Sequence, residues 1–378
     1  MRSVPAHGKR NALKTPILRG GKFGKHKIRT ISSGKEKRKV INRSTKKYFS
    51  QMAVGSVIFL GALLFLAGYS LYNYLHQTFA SAASVSSYSI TNEGVVTLSY
   101  IEVEDIASDP VILKTLKFLI FNKENKELSI FDIPLGLKVD MTGKFGEEEI
   151  YKAFALGALN SKTAIDDGVV AVNNVVKRIF GYKVDRYILV DESSSRILLD
   201  SLTGKGFSEL LSLRAASDIK RNTTSNLSAA EYYDLVTFAS GVVKDNISRY
   251  SVTQTDVDDS ENLDGQILDM NFDGPISREG LSVSILNGTD IPGVASFGSR
   301  LIKNSGGRVV GVSNASINYE NSYIITDIED SVTLNYISRV LGISNVLTKK
   351  EAEKFNENEI DRSDITVIVG FDIAEALY

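Results

Sequence analysis

Residues 115–139 read TLKFLIFNKENKELSIFDIPLGLKV. Two apolar runs, TLKFLIF (115–121) and LSIFDI (128–133), flank the polar NKENKE, and Phe118 and Ile120 alternate with charged or outward residues. A period of two broken by a short polar connection predicts a β-hairpin. The second run ends at Pro134 and turns through Leu135 and Gly136. A strand running into a turn is a common place to present reactive side chains. Leu135 and Gly136, however, offer no charge, no nucleophile and no acid.

Around this hairpin the chain mixes strands and helices. GVVTLSYIEV (94–103) is β-rich. After the polar DMTGKFG, the acids Glu147, Glu148 and Glu149 predict the first turn of a helix through IYKAFALGAL, where negative charge offsets the helix dipole. A second helix is expected over Ala164–Phe180, with Thr163 as cap, Asp166 and Asp167 in the first turn and Gly181 as the stop. YILV (187–190) reads as a strand, and SSRILLDSLTG and FSELLSL as helical. Ser228 and Glu231 form a capping box that opens a further helix. The acidic stretch 251–279 reads as a solvated linker, because the order of Asp256, Asp258, Asp259 and Asp264 does not match a calcium loop.

The last block alternates regularly. LSVSILNGT (281–289), RVVGVSNAS, NSYIITD, SNVLT and SDITVIVGFD (363–372) read as strands. DIPGVASFGSRLIKNSGG (290–307) and SVTLNYISRVLG read as helices, and KKEAEKFN as a helix or turn. The expected fold class is α/β: an extracytoplasmic α/β domain and a small C-terminal α/β domain behind a single N-terminal transmembrane helix.

The transmembrane expectation rests on MAVGSVIFLGALLFLAGYSLYNYL (52–75), which holds no charged residue. As a helix it spans about 36 Å, enough for a hydrocarbon core of about 30 Å. Residues 1–47 carry 16 Lys/Arg and one acid, Glu36. That tail predicts a cytoplasmic N-terminus and contact with anionic lipid head groups, and a nucleic-acid partner is not expected. The chain has no Cys, and its three His are His7, His26 and His76. Any chemistry beyond residue 76 therefore works without thiol or imidazole.

The order of elements resembles the LytR-CpsA-Psr family, whose enzymes move a glycopolymer from a polyprenyl-pyrophosphate carrier onto peptidoglycan or a related acceptor. The family's S-I-P-R-D-x-x-V strand falls on Asp132–Val139, and its K-[IL]-N-x-A helix on EIYKAFALGA (149–158). GYKVDRYILVDESSSRILLDSL (181–202) and TSNLSAAEYYDLVTFAS (224–240) are similar to later segments. Leu135 stands where the signature has Arg, and Gly136 where it has Asp. Residues 280–374 resemble the LytR C-terminal domain, through VSILNGTDIPGVA (283–295), the helix to Gly306-Gly307, and DITVIVGFD (364–372).

This organisation divides the chain into a disordered basic tail (1–47), a transmembrane helix (48–76) and a spacer (77–93). A LytR-CpsA-Psr-like domain (94–254), an acidic linker (255–279) and the C-terminal domain (280–378) follow. The first expectation is a non-catalytic envelope protein binding glycopolymer or a partner protein, with no cofactor. The alternative is a phosphotransferase using Asp132, Asp140 and Lys144 near the turn, which would need Mg²⁺. A plain scaffold is a third. Asn287, Gly288 and Gly293 are candidate ligand-loop residues, for which turn chemistry is the simpler reading. Arg178, Arg186, Arg196, Arg214 and Arg221 show no sequence-close phosphate clamp.

Overall fold

In a computed structural model of the chain, residues 54–73, 88–141, 145–159, 161–205, 219–271 and 274–377 are described. The chain divides into two compact units, Met1–Gly68 and Tyr69–Tyr378. Val54–Asn73 is one helix, long and apolar enough to cross a membrane, with side chains such as Phe59, Leu64 and Phe65 exposed. The basic tail and FSELLSL lie outside the described residues.

The first sheet has six strands: β1 (Val95–Val103), β2 (Leu113–Asn122), β3 (Glu127–Ile133), β6 (Arg186–Asp191), β7 (Thr223–Ser225) and β8 (Ile247–Ser251). Their order is β7-β6-β1-β2-β3-β8. β1 and β3 run antiparallel to β2, while β6 is parallel to β1 and β8 parallel to β3. The expected hairpin is present, with Phe118 opposite Phe131. Its outward positions differ from expectation. Leu119 and Phe121 are fully buried beneath a second helical layer, so both faces of the sheet are covered.

On one face, Phe118, Phe131 and Ile133 pack on α1 (Ala164–Phe180) through Val172, Val176 and Phe180. On the other, Leu98, Leu119 and Ile130 pack on α2 (Glu192–Leu202) and α3 (Ala229–Gly241). The capping box of α3 is formed, with Ser228 Oγ accepting from the Glu231 amide. Gly181 ends α1 in the left-handed conformation, as expected.

Two expectations need correction. Glu147–Glu149 do not open a helix: Gly146–Glu149 is strand β5, paired antiparallel with β4 (Lys138–Met141). Helical backbone begins only at Ile150, whose side chain is buried. Hairpin pairing satisfies the backbone here, and the alternating register outweighs the dipole preference of the three acids.

The second correction concerns 255–279, which is not a solvated linker. It forms the helices Gln254–Asp258, α4 (Glu261–Asn271) and Pro275–Glu279. Leu263 and Ile267 of α4 are fully buried in the core of the first sheet. Two of the acids that made the segment look solvated are taken up within the fold, one locally and one at long range. Asp256 closes a capping box with Thr253, and Asp264 holds Arg300.

The second sheet has five strands, β9 (Ser282–Asn287), β10 (Arg308–Asn314), β11 (Tyr323–Ile325), β12 (Val346–Leu347) and β13 (Ile365–Val369), ordered β10-β9-β13-β11-β12. α5 (Val294–Asn304) and α6 (Val332–Leu341) bury Leu301, Ile302, Ile337 and Leu341 against Ile285 and Val367. A closing helix, Phe371–Leu377, was not anticipated.

Candidate functional site

The turn after β3 is tied into the fold through its backbone. Leu137 N–H donates to Pro134 O at 3.2 Å, Tyr151 N–H to Leu135 O at 3.0 Å, and Ile150 N–H to Leu137 O at 3.0 Å. Leu135 and Leu137 pack, half-buried, against the core of the first sheet. Gly136 is exposed, and a Cβ placed there would meet nothing within 4 Å. Sterics do not require glycine at this position.

Each of the two candidate carboxylates among the described residues has a cation partner of its own. Asp132 is ion-paired with Lys117 across the β2–β3 ladder. Asp140, on β4, accepts from Arg178 at 3.2 Å. Lys144 lies outside the described residues. A carboxylate held by a lysine or an arginine has part of its acceptor capacity already taken. Among the described residues, no group of three or more acids or histidines is placed to hold a metal ion.

The arginines are dispersed. Arg186 is buried and bound to Glu231, with NH2 2.6 Å from Oε1. Arg178 serves Asp140 and lies over the Phe297 ring. Arg196 and Arg221 are exposed, and Arg214 is outside the described residues.

In the second sheet, the loop Asn287–Gly293 uses its polar atoms internally. Asn287 Oδ1 accepts from Thr289 N–H at 3.0 Å and from Thr289 Oγ1 at 2.7 Å, and its amide donates to Ile291 O at 2.9 Å. Gly288 runs so close to Val369 O and Tyr319 that a Cβ would sit 2.9 Å from each. Gly293 is left-handed, at φ 88°, as the residue before α5.

A cavity of about 500 Å³ lies at the opposite end of the first sheet from the Pro134 turn. It opens between the start of β1 (Glu93, Val95), the entry to β6 (Lys183) and helix α6 (Asn335, Arg339). A second hollow of about 230 Å³ shares Tyr88, Lys183 and Arg339 with it and adds Lys177, Asp185 and Arg186. The Arg339 guanidinium stacks 3.9 Å from the Tyr88 ring centroid, and its NH1 is 3.7 Å from Glu93. These residues span some 250 positions of sequence, and no local motif announces them.

The C-terminal domain is fastened beside this cavity. Arg300 of α5 pairs with Asp264 and donates to the carbonyls of Arg178 and Ile179. Asn304 donates to Phe180 O at 3.1 Å, and Asn271 to Asn304 O at 3.0 Å. The carbonyls at the C-terminal end of α1, which lack intrahelical donors, are therefore satisfied by the other domain.

Residues 280–372 match the family described as LytR cell envelope-related transcriptional attenuator. The chain carries a LytR C-terminal domain. That domain contains all five strands of the second sheet, and the Asn287–Gly293 loop is part of its first strand-to-helix connection. A search of curated proteins gives no match.

Solved structures similar to this chain include "TagT bound to LI-WTA", at 12% identity over 47% of this chain and 87% of that one, with a TM-score of 0.34. TagV from B. subtilis is similar at 13% identity over 43% and 85%, with a TM-score of 0.33. The transcriptional regulator yvhJ from Bacillus subtilis is similar at 16% identity over 43% and 84%, with a TM-score of 0.32.

Proposed function

We propose that the chain is a membrane-anchored, extracytoplasmic cell-envelope protein. In this reading residues 94–254 form a LytR-CpsA-Psr-like domain that binds envelope glycopolymer, or a partner protein, without transferring it. The observation that carries the reading is the turn after β3. Leu135 and Leu137 pack on the core, and Asp132 and Asp140 are each held by a cation. A pyrophosphate leaving group needs arginine forks or a metal held by carboxylates, and here Asp132 is taken up by Lys117 and Asp140 by Arg178. The LytR C-terminal domain supports the envelope assignment.

The apolar helix Val54–Asn73 supports the anchor, and the basic tail before it supports a cytoplasmic N-terminus. The tail would add affinity for anionic lipid of roughly 1 kcal/mol per Lys/Arg near the surface. Binding of a 1–47 peptide that is no stronger to anionic than to neutral vesicles would remove that part.

The main reading is tested by co-sedimentation of the detergent-solubilised chain with purified cell-wall sacculi. Retention is expected, unchanged by Asp132→Ala or Asp140→Ala. A chain that stays in the supernatant contradicts polymer binding.

A further inference from the structure

The cavity beside the C-terminal domain has the makings of a binding site, and its charges are the first reason. Lys183 is paired with Asp185 at 2.9 Å, and Arg186 is consumed by Glu231. Arg339 has only a loose 3.7 Å approach to Glu93. Lys177 is different: among the described residues nothing accepts from its ammonium, although it lines the smaller hollow and burial lowers its pKa below the ordinary lysine value. A desolvated, unpaired ammonium is costly to keep, and an anion arriving from solvent offsets that cost.

The second reason is the shape of the larger hollow. It adjoins the cations through Tyr88, Lys183 and Arg339 and presents the rings of Tyr182 and Tyr336 with Asn335 and the carboxylates of Glu93 and Glu124, which can accept from hydroxyls. About 500 Å³ falls within the range of small-ligand pockets, and aromatic faces with scattered hydrogen-bonding groups suit an uncharged, hydroxyl-rich body.

The geometry points to a binding site for a phosphorylated sugar between the first sheet and the C-terminal domain, with the phosphate on Lys177 and Arg339 and the sugar in the larger cavity. Phosphate suits the place because its oxygens accept from several donors at once, and Arg339 supplies a planar fork where Lys177 supplies a point charge. The site lies at the opposite end of β1 and β3 from Pro134. It goes beyond the function proposed above and stands whether or not the turn after β3 handles any ligand.

The test is calorimetric titration of the full chain in detergent with glucose 1-phosphate, inorganic phosphate and glucose. Glucose 1-phosphate should bind once per chain, at least about tenfold tighter than either fragment. Lys177→Met should weaken it by at least about tenfold, as should Arg339→Gln, while Lys205→Met, on a lysine paired with Asp200, should leave it unchanged. Lys177→Met removes a half-buried charge with no acceptor among the described residues, so its thermal midpoint should not fall, which separates lost binding from lost folding. Absence of saturable binding, inorganic phosphate binding as tightly as the sugar phosphate, or equal affinity in all three variants would overturn the proposal. Retention on sacculi is read separately, so either result can fail without the other.

Discussion

The two ends of the first sheet handle charge in opposite ways. At the Pro134 end, the turn carries the uncharged Leu135 and Gly136, and Asp132 in the preceding strand is neutralised by Lys117. At the other end, basic side chains from α1, the entry to β6 and α6 converge, and one of them, Lys177, keeps no counter-ion among the described residues. The two ends thus differ in whether their charged side chains find a counter-ion within the fold. The C-terminal domain supplies the last of those cations, so the cationic end depends on how that domain is fastened.

The largest expected effect comes from breaking the buried pair that supports the cationic end. Glu231→Ala would leave Arg186 buried and unpaired, and would also remove the acceptor of Ile90 N–H. A loss of about 3–5 kcal/mol is expected in urea unfolding of the chain. The same carboxylate sets a pH dependence. Burial pushes its pKa up, but hydrogen bonds from Arg186, Ser228 and Ile90 outweigh that and hold it below the usual 4.5. A depressed folded pKa means that its contribution is present above about pH 4.5 and is lost as pH falls through the lower folded value. Acid titration of the Glu231→Gln variant should show a shallower loss of stability in that window.

Next in size is Arg300→Ala, which cuts the ion pair to Asp264 and two carbonyl contacts at the end of α1. A cost of about 2–3 kcal/mol is expected, with faster amide exchange in α5 and α6 than in β1–β3. Uniform exchange across both sheets would contradict the view that Arg300 fastens one to the other.

At the neutral end the effects should be small. Asp140→Asn removes an exposed partner of Arg178 and should cost less than about 1 kcal/mol. Gly136→Asp should be within about 0.5 kcal/mol, because the site is exposed and open. A large penalty at Gly136 would show that glycine is kept there for the backbone, and the comparison between the two ends would lose its basis.

Much of the fold was legible locally. The hairpin, the capping box at Ser228–Glu231, the stop at Gly181 and the alternating C-terminal block all rest on near-neighbour patterns. Three features were not. Leu119 and Phe121 are interior because helices distant in sequence cover the second face. Glu147–Glu149 take a strand because β4 offers a pairing edge. The acidic stretch after residue 254 is helical because Leu263 and Ile267 find the first core and Asp264 finds Arg300, 36 positions away. For the site, the apolar character of Leu135–Gly136 could be read directly. The cleft could not, since Tyr88, Lys177 and Arg339 become neighbours only when the two sheets pack together.

The most direct test of the central claim is an in vitro transfer assay. The full chain would be incubated with Mg²⁺, a polyprenyl-pyrophosphate-linked glycan and a peptidoglycan acceptor. The account predicts no transfer above background, and no change with Asp132→Ala or Asp140→Ala. Transfer by the unmodified chain that either substitution abolishes would contradict it.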